Sequence, residues 1–309
     1  HAADGLKAAA RRVLWTARDG KKYKSATLAG ATMPIHPHQS PEGAVNTLAA
    51  PYGNNIPLLS GDGAFGTLLN PTAYGAARYT SCKVSEFTKD VMFRDIEIIP
   101  MQENYDGTLQ EPKHFLPLIP MSLLNPQDGI AVGFASSILP RSLENIVKCQ
   151  IDFLTKGTFT EDMPEMVPLN QKAWNYDETT NGNYKYVFRG EAERVNATTV
   201  RITNLPYGIS HEKYIAKLDK MEDNGTIQEY VDNSRDKYDI EVRFKKGVLN
   251  GYTEEDLVGA LEMDNWVSEN MNVVSFDGQA VWGTSFEEMI QHFSIWRLSW
   301  YKARYERLA

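Results

Sequence analysis

Residues 23–69 read YKSATLAGATMPIHPHQSPEGAVNTLAAPYGNNIPLLSGDGAFGTLL, and no other stretch of the chain indicates its fold so directly. The first part predicts a helix over Tyr23–Thr32. Ser40 then has the form of an N-cap, and Pro41 stands at the first position of a second helix that Pro51 ends. Because the connection between the two helices, Met33–Gln39, is tight, the pattern predicts a helix–turn–helix.

Two short apolar segments, Ile56–Leu59 and Phe65–Leu69, flank the glycine-rich run Ser60–Gly66. A run of this kind can form a phosphate-binding loop, but here it lacks both the Gly-Lys-Ser/Thr ending of a Walker loop and the Rossmann spacing. The better interpretation is a tight turn between two short strands. Strands that follow a helix pair in this way predict a winged helix of the CAP-like kind.

The segment before this stretch is basic. Asp4 to Asp19 has the pattern of a helix that Asp4 caps and Gly20 ends. A solvated helix face would explain its charge, and so would a phosphate-binding strip, because phosphate contacts need concentrated lysine and arginine. Residues 1–30 hold seven basic residues against two acidic ones, in a chain whose net charge is −8: Lys7, Arg11, Arg12, Arg18, Lys21, Lys22 and Lys24.

The composition limits the class of protein. With 309 residues, 42% of them hydrophobic and 23% charged, the chain is typical of a globular protein with two domains. No apolar run approaches the roughly 18 residues of a membrane span. Cys82 and Cys149 are too few and too far apart for a disulfide framework or a zinc site, which favours a cytoplasmic setting. Because both ends fall within helix-forming patterns, we expect a longer protein.

Beyond Leu143 the pattern is α+β. Alternating apolar residues predict strands near Tyr184–Phe188 and Ile240–Phe244, and Ser210 and Thr253 have the form of helix N-caps. The last stretch predicts one long helix. We therefore predict an α+β fold in three parts: residues 1–142 with the winged helix, an α+β region over 143–285, and a helix over 286–309.

Two segments could be taken for metal sites. Asn104–Gly107 has the opening of a calcium loop, but Lys113 stands where the bidentate glutamate is required. His36 and His38 have no acidic or sulfur partner at ligand spacing. We therefore predict no metal site. The histidine pair, beside a basic helix, can instead donate hydrogen bonds to a phosphate.

The pair Arg78-Tyr79 is a candidate for catalysis. In a chain with fifteen tyrosines, any one of them is by default a core or surface residue. A tyrosine that attacks a phosphodiester needs a cation nearby, which stabilises the phenolate and the charge that develops on the phosphoryl group. Arg78 supplies that cation from the neighbouring position.

Many short motifs, in one order along nearly the whole chain, resemble the breakage–reunion subunit of the type IIA DNA topoisomerases, the gyrase A and topoisomerase IV A-like proteins. Ile35 and Gln39-Ser40 depart from the pattern around the family's His-Pro-His, and the mixture of bacterial and eukaryotic features indicates a viral branch, of the phage type. The matching motifs are Asp4–Lys7, Arg11–Trp15, Lys24–Ala26, His36–His38, Pro57–Gly66, Ala76–Thr80, Asn104–Thr108, Glu111-Pro112, Gly129–Ala135, Ile138–Pro140 and Thr203–Tyr207.

The resemblance implies a type II topoisomerase, an isomerase that cleaves and religates both DNA strands. Tyr79 would attack the backbone and hold the 5′ end as a phosphotyrosine, while Arg78 would stabilise the transition state. Arg11 and His38 would contact the scissile phosphate, and Ile138 matches an isoleucine wedge that inserts between base pairs. The remaining residues implied to bind DNA are Lys7, Arg12, Lys22, Lys24, Ser25 and His36.

The resemblance also implies what surrounds this chain. Residues 143–285 would be a tower domain and 286–309 the start of a coiled coil. Mg²⁺ would be held by a Toprim domain outside this chain, and ATP would bind a separate ATPase domain or subunit. The expected partners are double-stranded DNA, a large subunit that bears the Toprim and ATPase domains, and a second copy of this chain. The alternative is a winged-helix architectural protein that binds DNA without cleaving it; Arg78 and Tyr79 favour the enzyme.

Overall fold

The computed structural model describes residues 1–37, 41–131, 133–159, 173–178 and 184–309. The chain divides into two compact units. The first comprises His1–Gly66, Thr72–Leu169 and Asn270–Ala309, and the second comprises Thr67–Pro71 and Asn170–Glu269. Helices and strands occur in both, which confirms the predicted α+β class. No helix within these described ranges has the length and apolar character needed to cross a bilayer.

The first unit contains most of the helices and several small antiparallel sheets. Its helices are α1 (Ala8–Thr16), α2 (Ser25–Thr32), α3 (Glu42–Ala49), α4 (Glu86–Val91), α5 (Leu143–Lys156), α8 (Phe286–Ser299) and α9 (Tyr301–Leu308). Its strands are β1 (Tyr23–Lys24), β2 (Leu59–Asp62), β3 (Ser81–Val84), β4 (Met101–Glu103), β5 (Gln110–Pro112), β6 (Gln127–Ala131), β7 (Phe134–Ile138), β15 (Asn272–Val274) and β16 (Val281–Gly283).

The first helix is shorter than the sequence predicts. It begins at Ala8 rather than at Asp4, because the Asp4 carboxylate accepts hydrogen bonds from the Leu6 and Phe115 amides and from Arg11 instead of capping a helix. The predicted end is confirmed. The α-helix ends at Thr16, a 3-10 turn over Ala17–Asp19 continues it, and Gly20, whose φ of 74° is left-handed, ends the whole helical segment.

Helices α1, α2 and α3 pack on one another. A three-stranded sheet has the order β1-β3-β2, with β1 between α1 and α2 in the chain and β2 and β3 after α3. The helices fall where predicted within a few residues, although the N-cap residue expected at Ser40 lies outside the described residues. The strands are displaced. The partner of β2 is β3, which pairs Leu59 with Val84 and follows Tyr79, whereas the sequence placed a strand at Phe65–Leu69.

The ends of the second unit differ from the predicted boundaries at residues 143 and 285. Helix α5 buries Ile146 and Cys149 in the hydrophobic core of the first unit, and α8 buries Met289 and Ile290 in the same core. Both helices are therefore held to the first unit by apolar burial, the dominant favourable term in folding. The second unit begins only at Asn170 in this part of the chain and ends at Glu269.

The predicted long C-terminal helix is two helices, α8 and α9, that meet at Trp300. Ser285 and Glu288 form a capping box at the start of α8. Arg297 forms a buried ion pair with Asp95, and Arg304 Nε lies 3.3 Å from the second oxygen of the same carboxylate. These contacts fix both helices to the first unit.

The second unit has its own core around Val200, Ile202, Leu218 and Phe244. A four-stranded sheet has the order β10-β11-β13-β12, and a three-stranded sheet has the order β14-β9-β8. The predicted N-caps are confirmed: Ser210 caps α6, and Thr253 caps α7 with a capping box. The elements are β8 (Ala173–Glu178), β9 (Tyr184–Arg189), β10 (Glu191–Arg194), β11 (Thr199–Asn204), α6 (His211–Asp223), β12 (Glu229–Asp232), β13 (Ile240–Arg243), α7 (Glu254–Ala260) and β14 (Asp264–Glu269).

Candidate functional site

Tyr79 lies in a turn that ends directly before β3. Its backbone amide donates to the Ala76 carbonyl at 2.8 Å, which closes the turn. The side chain is 71% exposed. A nucleophile that acts on a polymer must be reachable from solvent, and Tyr79 meets this requirement.

The turn packs against the start of α2 and against the glycine-rich run. Thr80 is buried, its hydroxyl lies 2.7 Å from the Ser25 hydroxyl, and its carbonyl accepts from the Ser25 amide at 3.0 Å. Gly63 and Gly75 approach the same threonine so closely that a Cβ on either would lie 3.2 Å from Thr80 Cγ2. Gly63 also has a φ of 108°, which side chains rarely adopt. Gly63 of the run and Gly75 therefore support the turn that carries Tyr79 by close backbone packing.

Two cations lie against the exposed tyrosine, and a third, Lys22, is paired elsewhere on the same sheet. The Arg78 guanidinium carbon lies 4.8 Å from the centre of the Tyr79 ring, a cation–π geometry. Lys24 Nζ donates to the Tyr79 carbonyl at 3.3 Å. Lys22 Nζ pairs with Asp62 at 2.5 Å, and this hydrogen bond holds the pKa of the Asp62 carboxyl below its usual range. The structure thus brings Tyr79, Arg78 and Lys24 together, and it places Lys22, which precedes β1, against Asp62 of β2.

Ser25 does not belong to an exposed surface. The prediction that its side chain binds DNA is wrong for this structure, because the side chain is fully buried and its hydroxyl is paired with Thr80. Its contribution is to position the turn that carries Tyr79.

Arg11 also requires a correction. The sequence placed it at the scissile phosphate, but the residue is only 8% exposed. Its guanidinium forms a two-pronged ion pair with Asp4, with Nε–Oδ2 at 2.7 Å and Nη2–Oδ1 at 2.8 Å, and it donates to the Leu6 carbonyl as well. Burial alone would raise the pKa of Asp4, but the Arg11 charge holds that pKa below its usual range. Arg11 is therefore a structural partner of Asp4 rather than an exposed phosphate ligand.

The other residues predicted to contact DNA differ in exposure and in whether another side chain already pairs with them. Arg12 is half-buried and paired with Glu111, with Arg12 Nε 2.5 Å from Oε2, and it holds the pKa of Glu111 low against the effect of burial. Lys7 is exposed just before α1. His36 is half-buried with its ring edge toward Tyr105, at 5.5 Å between centroids. His38 lies outside the described residues.

Ile138 cannot act as the predicted wedge, because it is 3% exposed and packs in the core of the first unit. It stands at the base of the β6–β7 hairpin, opposite Gln127. The exposed isoleucine of this hairpin is Ile130, at 95% exposure, near its tip. The sequence motifs did not single out Ile130, although Gly133, with a φ of 82°, is the kind of residue that a tight hairpin turn uses and so indicates a hairpin end nearby.

The described residues do not bring three His, Cys, Asp or Glu side chains into one cluster that could hold a metal ion. The site contains the exposed phenol of Tyr79 with the Arg78 guanidinium over its ring. Lys24 supplies a second cation, which donates a hydrogen bond to the Tyr79 carbonyl. This arrangement can attract a phosphate group, present a nucleophile to it and stabilise the negative charge that grows as the new bond forms.

Comparison with protein families finds a match to the family of DNA gyrase/topoisomerase IV A subunits across residues 1–309. The DNA topoisomerase medium subunit of Enterobacteria phage T4 is 28% identical over 304 residues, 94% of this chain and 66% of that protein. This similarity confirms the predicted phage-type resemblance. The A subunit of DNA topoisomerase 4 from Borreliella burgdorferi is 30% identical over 70% of this chain and 34% of its own length.

Among solved structures, the fold matches the DNA-binding, cleavage and re-ligation domain of Plasmodium falciparum topoisomerase II. The TM-score is 0.85 at 23% identity, over all of this chain and 44% of the other. At that identity the match shows the fold alone. The chain thus spans about two thirds of the phage protein and a smaller share of the other two.

Proposed function

This chain belongs to the family of DNA gyrase/topoisomerase IV A subunits, and from that premise we propose that it cleaves and reseals DNA through a covalent bond to Tyr79. The observation that carries the proposal is the exposed Tyr79 ring beneath the Arg78 guanidinium. The enzyme would be a type II DNA topoisomerase, ATP-dependent as a complete assembly, in which this chain supplies the tyrosine half of the site.

The chemistry exchanges one phosphate ester for another. The Tyr79 oxygen bonds to phosphorus and the phenol gives up its proton; the bond from phosphorus to the 3′ oxygen breaks, and that oxygen takes up a proton. The DNA 5′ end is then held as a phosphotyrosine, and the reverse step reseals the strand. Arg78 stabilises the extra negative charge of the transition state, a contribution that is typically worth about 3–4 kcal/mol.

The described residues of this chain do not fit a Mg²⁺ site, since no suitable cluster of ligands is found among them. We place Mg²⁺ in a Toprim domain outside this chain, and ATP in a separate ATPase domain or subunit, as the family resemblance implies. Bound Mg²⁺ would polarise the scissile phosphate. The partners are then double-stranded DNA and a large subunit that bears the Toprim and ATPase domains. We propose that the assembly works in the cytoplasm, which for a phage-type enzyme is the cytoplasm of the host.

The parts of the fold take the roles that the resemblance assigns. Helices α1–α3 with the β1-β3-β2 sheet are the winged helix, the second unit is the tower domain, and α8 with α9 begins the coiled coil. Cutting both strands needs two tyrosines, so we propose a two-fold dimer of this chain. Lys7, Lys22, Lys24 and His36 would contact the DNA backbone, together with His38, whereas Arg12 is held by Glu111.

Ile130 takes the wedge role that the sequence analysis assigned to Ile138. Its side chain is 95% exposed on the hairpin, so it can enter a base step without moving any core residue. Inserting an apolar side chain between base pairs kinks a duplex and brings more of it against the protein. The proposed wedge thus bends the DNA segment that Tyr79 cleaves.

The alternative, an architectural DNA-binding protein, would use the same hairpin and lysines. It would leave the Arg78–Tyr79 pair without a role, which is why we favour cleavage. With the Toprim-bearing partner and Mg²⁺, denaturant trapping should yield covalent protein–DNA adducts. Tyr79→Phe should abolish them while Tyr305→Phe, which changes a tyrosine with a similar 74% exposure, should keep them. DNA binding without adducts in the unsubstituted protein would favour the architectural role.

A further inference from the structure

The outer edge of the β6–β7 hairpin is attached to the segment that leads into β15. At its base the attachment is made by backbone groups, because the Ser137 amide donates to Asn270 at 2.9 Å and the Asn270 amide donates back at 2.8 Å. This pair is an isolated antiparallel bridge. Closer to the tip of the hairpin, the attachment is made by side chains instead of backbone groups.

Two asparagine amides converge on a single carbonyl of the hairpin. Asn270 Nδ2 donates to the Ala135 oxygen at 2.8 Å, and Asn272 Nδ2 donates to the same oxygen at 2.7 Å. Asn272 Nδ2 also donates to Asn270 Oδ1 at 2.9 Å, so the two side chains orient each other. A backbone carbonyl oxygen has two lone pairs, and the two amides occupy both lone pairs of the Ala135 oxygen.

The carbonyl they hold lies directly across the hairpin from the exposed isoleucine. Ala135 is the register partner of Ile130, and the next pair toward the tip is Ala131 with Phe134. Ile130 and Phe134 are 95% and 49% exposed, so burial in the core does not hold these two side chains. The two amides therefore fix the strand at the level where the wedge side chain begins.

We propose that Asn270 and Asn272 are positioning residues that hold the hairpin rigid, so that Ile130 can force a base step open. This inference rests on the proposed function, since it requires Ile130 to act on DNA. Unstacking a base step costs free energy, so the DNA resists insertion of the wedge. A flexible hairpin would move away under that resistance, and the DNA would stay straight. A functional side chain acts well only when supporting hydrogen bonds hold it near its productive geometry, and the two asparagine amides supply that support to the hairpin.

The test uses the complete enzyme with its Toprim-bearing partner and a duplex carrying a fluorophore at each end. Asn270→Ala and Asn272→Ala should each reduce the bent population and the rate of cleavage by about fivefold to tenfold, the effect of losing about one hydrogen bond. DNA affinity, which depends mainly on phosphate contacts, should change much less. Asn272→Asp keeps the size of the side chain but cannot donate, and should behave like Asn272→Ala.

The matched control is Asn54→Ala. Asn54 also donates from its amide to two backbone carbonyls, those of Thr47 and Ala50, but at the end of α3. Its loss should leave bending unchanged. Hydrogen exchange of the amides of residues 127–138 should become faster in the Asn270 and Asn272 variants alone.

A double-mutant cycle separates positioning from general stability. If the asparagines act through Ile130, their substitution should have no further effect on bending in an Ile130→Ala background. Undiminished effects in that background, or normal bending by the Asn270 and Asn272 variants, would overturn the inference. If the unsubstituted enzyme neither bends DNA nor forms adducts, the proposed function itself fails, which is a different result.

Discussion

Two basic regions of the first unit differ in what their charges do. In α1, Arg11 and Arg12 are paired with Asp4 and Glu111, and Arg11 is buried. At the turn before β3, Arg78 and Lys24 are exposed and lie against Tyr79 itself. The first region uses arginine to stabilise the fold, and the second leaves its cations available to a phosphate. A local excess of basic residues in a sequence therefore does not measure how much positive charge a surface offers.

The sharpest test of this difference is the stability of α1. Arg11→Ala should lower the free energy of unfolding by about 3–5 kcal/mol, because it leaves the buried Asp4 carboxylate without its counter-charge. Urea denaturation measures this change. The control is Lys22→Ala, which removes one partner of the exposed pair with Asp62 and should leave stability almost unchanged. Equal losses of unfolding free energy in the two variants would show that Arg11 stabilises the fold no more than the exposed Lys22 does.

At Tyr79 we expect the reverse: a large loss of cleavage rate with little loss of stability. Arg78→Ala should slow DNA cleavage by about 10²–10³-fold, since it removes charge stabilisation of the transition state, while the free energy of unfolding stays nearly the same. The matched control is Arg18→Ala, because Arg18 is also an exposed arginine stacked on an aromatic ring, 3.9 Å from the centre of Trp15. Single-turnover cleavage assays report the rates. A comparable loss of rate in Arg18→Ala would remove the special role of Arg78.

The pH dependence of stability should also separate the regions. Asp4 has a pKa held below its usual range, so its stabilisation is fully present above the unfolded pKa of about 4 and is lost as the pH falls through the folded value. Acid titration of unfolding should therefore show a steeper loss in the unsubstituted chain than in Asp4→Asn. Asp62→Asn, which alters the exposed pair, should keep the steep loss. A titration unchanged in Asp4→Asn would contradict the assignment.

The smallest effect is expected from single exposed lysines. Lys24→Ala should weaken DNA binding only a few-fold, uniformly across sequences, and reduce the slope of log affinity against log salt by about 1. Lys302→Ala changes an exposed lysine on α9 and should leave the slope as it was. Fluorescence anisotropy over a salt series gives both values. No change of slope in Lys24→Ala would mean that Lys24 makes no phosphate contact.

Features set by neighbouring residues could be predicted from the sequence. The caps at Ser210 and Thr253 and the end of the first helix at Gly20 depend on side chains or a glycine within a few positions, and all three are confirmed. The α+β class is confirmed as well. In the structure the Arg78 guanidinium also lies over the ring of its chain neighbour Tyr79.

Features set by distant contacts could not be predicted in this way. Asp4 was expected to cap a helix, but its carboxylate is held by Arg11 and by the amide of Phe115, 111 residues away. Ile138 and Ile130 are both isoleucines in one apolar stretch, and only the pairing of β6 with β7 shows which is buried. The compact units divide elsewhere than at residue 143 for the same kind of reason, because the apolar face of α5 packs in the core of the first unit.

The central claim is that Tyr79 carries the DNA. The most direct measurement is mass spectrometry of the trapped complex, after nuclease and protease digestion, to locate the residue that retains a nucleotide. The account predicts one modified peptide, containing Arg78 and Tyr79, with a 5′ phosphate joined to the Tyr79 oxygen. A nucleotide on any other residue, or a 3′ linkage, would contradict it.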